Sequence, residues 1–494
     1  MSLTPELARA RDEIRRYAIE AGLDFFEVLF EVLDWNQMNA VASYGGFPNR
    51  YPHWRFGMEY EQIHKSYAYG LSKIYEMVIN NDPSYAYLLH SNNIVDQKMV
   101  MAHVYGHSDF FKNNVYFSST NRKMIDEMGN HRSKVMSMVN RHGVEEVEDF
   151  IDGLLSLENL IDIRQVGMAT KRPPLERVED EDQEEVLEIK RLPSKDYMDR
   201  YVNPQAFIDK QKQQFVDDKK KKQFPESPER DVLYFLGEHA PLERWQRDLL
   251  WMIREEAYYF APQGMTKIMN EGWAAYHHSK IMTTKVLKDS EIIDYADHHS
   301  GTVSPQPGRL NPYKIGMELF RHIEDCWNRG KFGVEYENCQ DMKEKASWDK
   351  KLGLGRVKIF EVRKIYNDVT FLDEFLDEEF CNQQKFFHYA FNPSTGAYEI
   401  VDRDVKKVKA KLLQSLTNMG QPQVAVIDAN TSNRGELTLK HFHDGVDLRQ
   451  DWVTETLRNL HRLWKRPVHV ETLVEGMPKV LSYDGTSQKE EKVS

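Results

Sequence analysis

VDQKMVMAHVYGHSDFFKNN, residues 95–114, is the stretch on which the fold class turns. Its apolar residues recur at helical spacing. The turn signal NNDPS at 80–84 separates it from GMEYEQIHKSYAYGLSKIYEMVI, residues 57–79, so two helices are predicted between Met58 and Lys112. Reading toward the N-terminus, Thr4-Pro5 suits an N-cap and first helical position. Leu23, Phe26, Val28, Leu29 and Val32 then continue at helical spacing, which predicts an opening helix. Toward the C-terminus, residues 131–165 look helical, as do LERWQRDLLWMIREEAYYF (242–260), QGMTKIMNEGWAAYHHSKIM (263–282) and NPYKIGMELFRHIEDCWNRG (311–330), where Pro312 fits the first helical turn after Asn311.

The texture changes after about Lys350. KFFHYAFNPSTGAYEIV (385–401) resembles a hairpin, and DVKKVKAKLLQSLTNMG (404–420) a helix closed by Gly420. QVAVIDA (423–429) is a buried strand, followed by LTLKHF, a helix in WVTETLRNLHRLW, and VHVETL. The predicted class is α+β: a large, mainly α-helical N-terminal body and a smaller C-terminal α+β domain. The expected divisions are a helical domain at 1–170, a charged insertion at 171–230, a helical segment at 231–345 that completes the body, the α+β domain at 350–484 and a disordered tail at 485–494. The insertion is marked by Pro173-Pro174, the acidic run 179–185 and the lysines 219–222.

At 494 residues the length suggests about three domains, or two plus an insertion. Apolar residues at 40% and aromatics at 12% suffice for a sizeable core. The net charge of −12 argues against a nucleic-acid partner. Cys326, Cys339 and Cys381 show no CxxC spacing, which excludes a disulfide framework and a four-cysteine zinc site and fits a reducing compartment. MSLTPELARARDEIRR has no apolar signal core and no run of 18 apolar residues follows, so no membrane span is expected and a cytoplasmic location is.

His103 and His107 lie four apart, which on a helix puts both imidazoles on one face, about 6 Å apart along the axis. In a chain with 18 histidines, that spacing alone arises by chance. A second helical segment strengthens it, because Glu271 and His278 in NEGWAAYHH are seven apart and share a face. Two imidazoles and a remote carboxylate form the donor set of a catalytic zinc site, with a fourth position left for water. The competing reading makes the histidines hydrogen-bonded core residues and pairs Glu271 with an arginine.

Val104 stands where the HExxH signature carries its general base. Another group must then deprotonate water, and the candidates are Glu59, Glu61, Asp109, Glu256, His278 and His299. Among these Glu256 and His278 are favoured as proton carriers, and Asn114 and Tyr276 are the candidate oxyanion donors. Of the adjacent His298 and His299, at most one can face a site, and His299 is preferred. GLGR at 353–356 is read as a turn, His441, His443, His469 and Glu471 as a solvated sheet face, and the aromatics between Tyr51 and Phe56 as core. These residues lead to a metal-dependent amide hydrolase, with zinc first and iron or another divalent metal as alternatives. The competing class is a non-enzymatic scaffold or regulator.

RYPHWRFGMEYEQ (50–62), YGLSKIYEMVINNDPSYAYLL (69–89), VMAHVYGHSDFFKNN (100–114), MNEGWAAYHH (269–278), HSGTV (299–303) with NPYKIG (311–316), and RKIYNDVTFLDEFL (363–376) resemble the stage V sporulation protein R (SpoVR) family over nearly the whole chain. The resemblance implies a role in spore cortex formation or in bacterial stress and starvation responses. It also implies a serine protein kinase and a von Willebrand-type domain protein as partners. EGWAxY is similar, too, to a motif of zinc-peptidase-like proteins in which its glutamate is the third metal ligand. That likeness implies His103, His107 and Glu271 as ligands of a zincin-like helical site and departs from the pattern at Val104.

Overall fold

The structure, a computed structural model, describes residues 3–68, 76–167, 224–304 and 310–492. Most of the charged stretch expected at 171–230 lies outside them. Among the described residues no helix is long and apolar enough to cross a membrane. The chain divides into two compact units. The larger is bounded by Met1–Asp152, Val166–Met168 and Glu255–Gln421, and the smaller by Gly153–Gln165, Ala169–Arg254 and Pro422–Ser494.

The larger unit opens as expected with the helix Pro5–Glu20, where Leu7 N donates to the Thr4 hydroxyl at 3.3 Å. The helical spacing read through Val32 does not continue. Val28–Leu33 is a strand whose Val28, Phe30 and Val32 turn inward while Leu29 and Glu31 face out, so the two-residue period prevails over 3.6. It runs parallel to Ser84–Leu89, which pairs antiparallel with Glu76–Ile79. NNDPS is therefore a turn between strands, not between helices, and the helix expected to reach Ile79 spans Trp54–Ala68. The runs MVI and YAYLL are too short to bury a helical stripe but match strand length, and turn residues bound them.

Ile94–Asn113 and Lys267–Ile281 are buried around nearly their whole circumference, the condition of helices at the centre of a large core. Pro312–Arg329 packs beside them. Lys314 N donates to the Asn311 side chain at 3.2 Å at its start, and Gly330 at φ 74° closes it. The core does not end near residue 345. Gly355–Ile365, Asp368–Phe375 and Glu378–Gln384 send Ile359, Val362, Phe371, Leu372 and Phe380 into the cluster that holds Trp273 and Phe320. The hairpin His388–Asn392/Ala397–Asp402 and the helix Val405–Leu416 form where the sequence suggests, inside the larger unit. The change of texture at 350 thus falls within a unit whose bound is Gln421.

The smaller unit contains a five-stranded sheet in the order Gln488–Lys492, Met477–Tyr483, Val468–Val474, Glu436–His441, Val424–Thr431. Glu436–His441 and Val468–Val474 are parallel, and the helix Gln450–Trp464 makes the crossover. The tail expected to be disordered instead supplies the edge strand Gln488–Lys492. Its side chains are exposed, so the ladder to Met477–Tyr483 and the Lys479–Glu490 ion pair at 2.5 Å hold it. A composition rule cannot register backbone pairing of this kind.

Candidate metal centre

The two central helices meet through glycine. A Cβ on Gly106, between the two histidines, would lie 2.7 Å from the Ala274 Cα of the facing helix, and one on Gly272, next to Glu271, would lie 2.4 Å from the Gly316 Cα of the third helix, Pro312–Arg329, which makes the other contact. Ordinary carbon contacts are about 3.5–4.0 Å, so only hydrogen at both positions permits this approach. The result is that the His103/His107 face and the Glu271 side chain converge. His103 Nε2 and His107 Nε2 each lie 3.4 Å from the same Glu271 oxygen, Oε2.

That distance is longer than a good hydrogen bond. It equals the edge of a tetrahedron with bonds of about 2.1 Å, roughly 3.4 Å. All three donor atoms lie within 4.8 Å of one another. The remaining nitrogens are already engaged, His107 Nδ1 with Asn270 Oδ1 at 2.8 Å and His103 Nδ1 with His278 Nδ1 at 2.8 Å. Because the Asn270 oxygen only accepts, His107 carries its proton on Nδ1 and presents the Nε2 lone pair toward Glu271. Burial acts to raise the Glu271 pKa, but when protons rather than a cation occupy the two Nε2 atoms, His103 and His107 outweigh it and hold the carboxyl far below its ordinary value. One anionic oxygen facing two imidazole nitrogens, in a site where the histidine side chains are 5% and Glu271 18% exposed, fits a divalent cation.

Behind the donors a histidine chain leads outward, with His278 Nε2 3.2 Å from His299 Nδ1. Burial, with the neighbouring His103 and His299 and more distant charges, keeps His278 well below its ordinary pKa and hence neutral. His299 is half-buried and is lowered by burial and by Arg321 and His103. The helix carrying it, Ile292–Val303, is fixed to the histidine helix by His298 with Asp96, and the preceding turn by Lys98 with Glu291 at 2.8 Å. His299 therefore joins the site and its neighbour His298 serves as a strut.

Other candidates lie elsewhere. Asp109 accepts from Trp273 Nε1 and Arg363 Nη1, both at 2.8 Å, and from Asp24 N at 2.7 Å. Burial pushes its carboxyl up to about 6 against the pull of Arg363, and the group braces the helices. Asn114 spends its amide on Arg363 O at 2.8 Å and Tyr366 O at 3.0 Å, and Tyr276 donates to Glu324 at 2.6 Å, so neither presents an oxyanion donor. Glu256 bonds Arg50 at 2.5 Å and His131 at 3.0 Å. Glu59 pairs with Arg55 and Glu61 with Lys65 on an outer helix. His441 bonds Thr472 at 2.9 Å and His469 bonds Glu436 at 2.9 Å within the sheet unit.

Sequence reading did not single out Asn270 or Asp368. Asp368 accepts from Ile268 N at 2.8 Å and Met269 N at 2.9 Å at the start of the glutamate helix, and burial pushes it up to about 7. Asn270 carried a signal, since it adjoins Glu271. Asp368 carried none, lying about a hundred residues from the helix it caps.

A family model described as SpoVR like protein matches residues 2–421, and one described as SpoVR-like C-terminal domain matches residues 422–475. The break between them coincides with the bound of the larger unit. "Uncharacterized protein YcgB" of Escherichia coli (strain K12) is 28% identical over 493 residues, covering 93% of this chain and 90% of that protein. No solved structure matches the chain.

Proposed function

The chain belongs to the SpoVR-like protein family, and from that premise we propose that it is a metal-dependent amide hydrolase whose cation is held by His103, His107 and Glu271. Zinc is the metal the donor set suits best, with iron or another divalent ion as the alternatives. The observation that carries the reading is the pair of 3.4 Å separations from two imidazole nitrogens to one carboxylate oxygen. When bound, such a cation polarises a substrate carbonyl and lowers the pKa of water. The protein's own groups do the rest. Asn270 fixes the His107 tautomer. His103 donates from Nδ1 to His278, which donates from Nε2 to His299. These two hydrogen bonds fix the orientation of the His103 ring, and His299 forms the outer end of the chain.

The substrate class proposed with this chemistry is a peptidoglycan precursor, or a protein that makes one, in a cytoplasmic setting tied to cortex formation or stress response. A serine protein kinase and a von Willebrand-type domain protein are the proposed partners. Val104 is fully buried, which leaves the position of the usual catalytic glutamate without a base. This favours the second reading, a metal-stabilised scaffold or regulator. Incubating the zinc-loaded protein with peptidoglycan-precursor peptides and following amine release by mass spectrometry separates the two. Hydrolysis requires turnover that falls at least about 100-fold in Glu271→Gln. No turnover, with full in vivo rescue by Glu271→Gln, refutes it.

A further inference from the structure

A second constellation shares no residue with the first. The helix Met124–His142 carries Glu127 and His131 four apart, and the helix Arg244–Met265 brings Glu255 and Glu256 beside them. The His131 side chain is 1% exposed. Its Nδ1 lies 3.0 Å from Glu256 Oε1, and the other oxygen of Glu256 accepts from Arg50 at 2.5 Å. Its Nε2 has no hydrogen-bond partner and is aimed between two carboxylates, 3.5 Å from Glu127 Oε1 and 3.6 Å from Glu255 Oε2. These three atoms also lie within 4.8 Å of one another.

We propose that His131 Nε2, Glu127 and Glu255 form a second cation site, for a first-row divalent ion. The separations are those of donors around a cation with bonds of about 2.1–2.2 Å, not of hydrogen-bonded pairs. Glu256 supplies the carboxylate that orients a ligating imidazole through its far nitrogen, and Arg50 orients that carboxylate in turn. Side-chain exposures of 27% for Glu127 and 46% for Glu255 give the ion access from solvent, while His131 anchors the site inside. One imidazole and two carboxylates make a harder donor set than the first centre has, suited to manganese as well as zinc.

The test titrates zinc, and separately manganese, into four forms of the full chain, with thermal unfolding checking that each is folded. Glu127 and Glu255 are partly exposed, so Glu127→Gln/Glu255→Gln retains the core. The expected result is two equivalents for the unsubstituted protein, one for Glu271→Ala, one for Glu127→Gln/Glu255→Gln, and none for the triple variant, with affinity at the altered site down at least tenfold. Glu271→Ala binding no zinc or manganese overturns the second site and leaves the first intact. A single equivalent lost in Glu127→Gln/Glu255→Gln but kept in Glu271→Ala supports the second site and overturns the first.

Discussion

Replacing Gly106 with alanine sets two magnitudes of opposite sign against each other. On helix propensity alone the change stabilises by about 1 kcal/mol. The added Cβ, however, falls 2.7 Å from the Ala274 Cα and 3.1 Å from its Cβ, and relief requires the two central helices to part by about 1 Å. Overpacking of a closed core costs about 1–3 kcal/mol, so the net effect is a loss of up to about 2 kcal/mol. The consequence for the metal is larger, because ligand distances tolerate only about ±0.2 Å and the shift separates Glu271 from both histidines. The assay is thermal unfolding with and without a chelator, together with zinc affinity. Gly106→Ala lowers the melting temperature and loses most of the chelator-sensitive increment. Gly57→Ala is the matched control. It lies on a helix with nothing within 4 Å of its Cβ, and it raises stability by about 1 kcal/mol without changing zinc affinity. A Gly106→Ala protein as stable as its parent, with undiminished affinity, refutes the claim that glycine contact sets the geometry of the centre.

Further outcomes follow from other contacts. His278→Phe and Asn270→Ala each weaken zinc binding by about 10- to 100-fold without removing a donor, and unchanged affinity in competition titrations contradicts their orienting role. Asp109→Ala removes the carboxylate that Arg363 and the Trp273 indole bond in the core and costs about 3–5 kcal/mol in denaturant unfolding; a loss below about 1 kcal/mol contradicts a buried brace. Burial works against charge on His322, yet hydrogen bonds to Asp377 and Cys326 raise its pKa to about 10. The folded state therefore binds the proton more tightly than the unfolded chain. That contribution is complete below the unfolded value of about 6.5 and is lost as pH climbs toward 10. The difference in melting temperature between the parent and His322→Gln accordingly shrinks across that window, and a pH-independent difference contradicts the ion pair.

The helices legible in the sequence were those whose apolar residues repeat over many turns. Pro312–Arg329, with its Asn-Pro start and glycine end, is the clearest case. Val28–Leu33 misled because a short, mostly apolar run satisfies either period, and the choice is made by a partner strand more than 50 residues away. His103, His107 and Glu271 could be paired because donor spacing within each helix survives in sequence, and His299 was separable from His298 because adjacent residues diverge on a helix. Glu256, Asn114 and Tyr276 could not be excluded from sequence, since what removes them is a partner supplied from elsewhere: Arg50, the carbonyls of Arg363 and Tyr366, and Glu324. The glycine contacts were equally invisible, because Gly106 and Ala274 are brought together only by the packed helices.

The most direct measurement is the zinc K-edge absorption spectrum of protein purified without a polyhistidine tag, in the Glu127→Gln/Glu255→Gln background so that a single site contributes. Convergence of His103, His107 and Glu271 on one cation predicts two imidazole nitrogens and a carboxylate oxygen at about 2.0–2.2 Å, with the signal abolished by His103→Ala. A shell with fewer than two imidazoles, or one that survives His103→Ala unchanged, contradicts it.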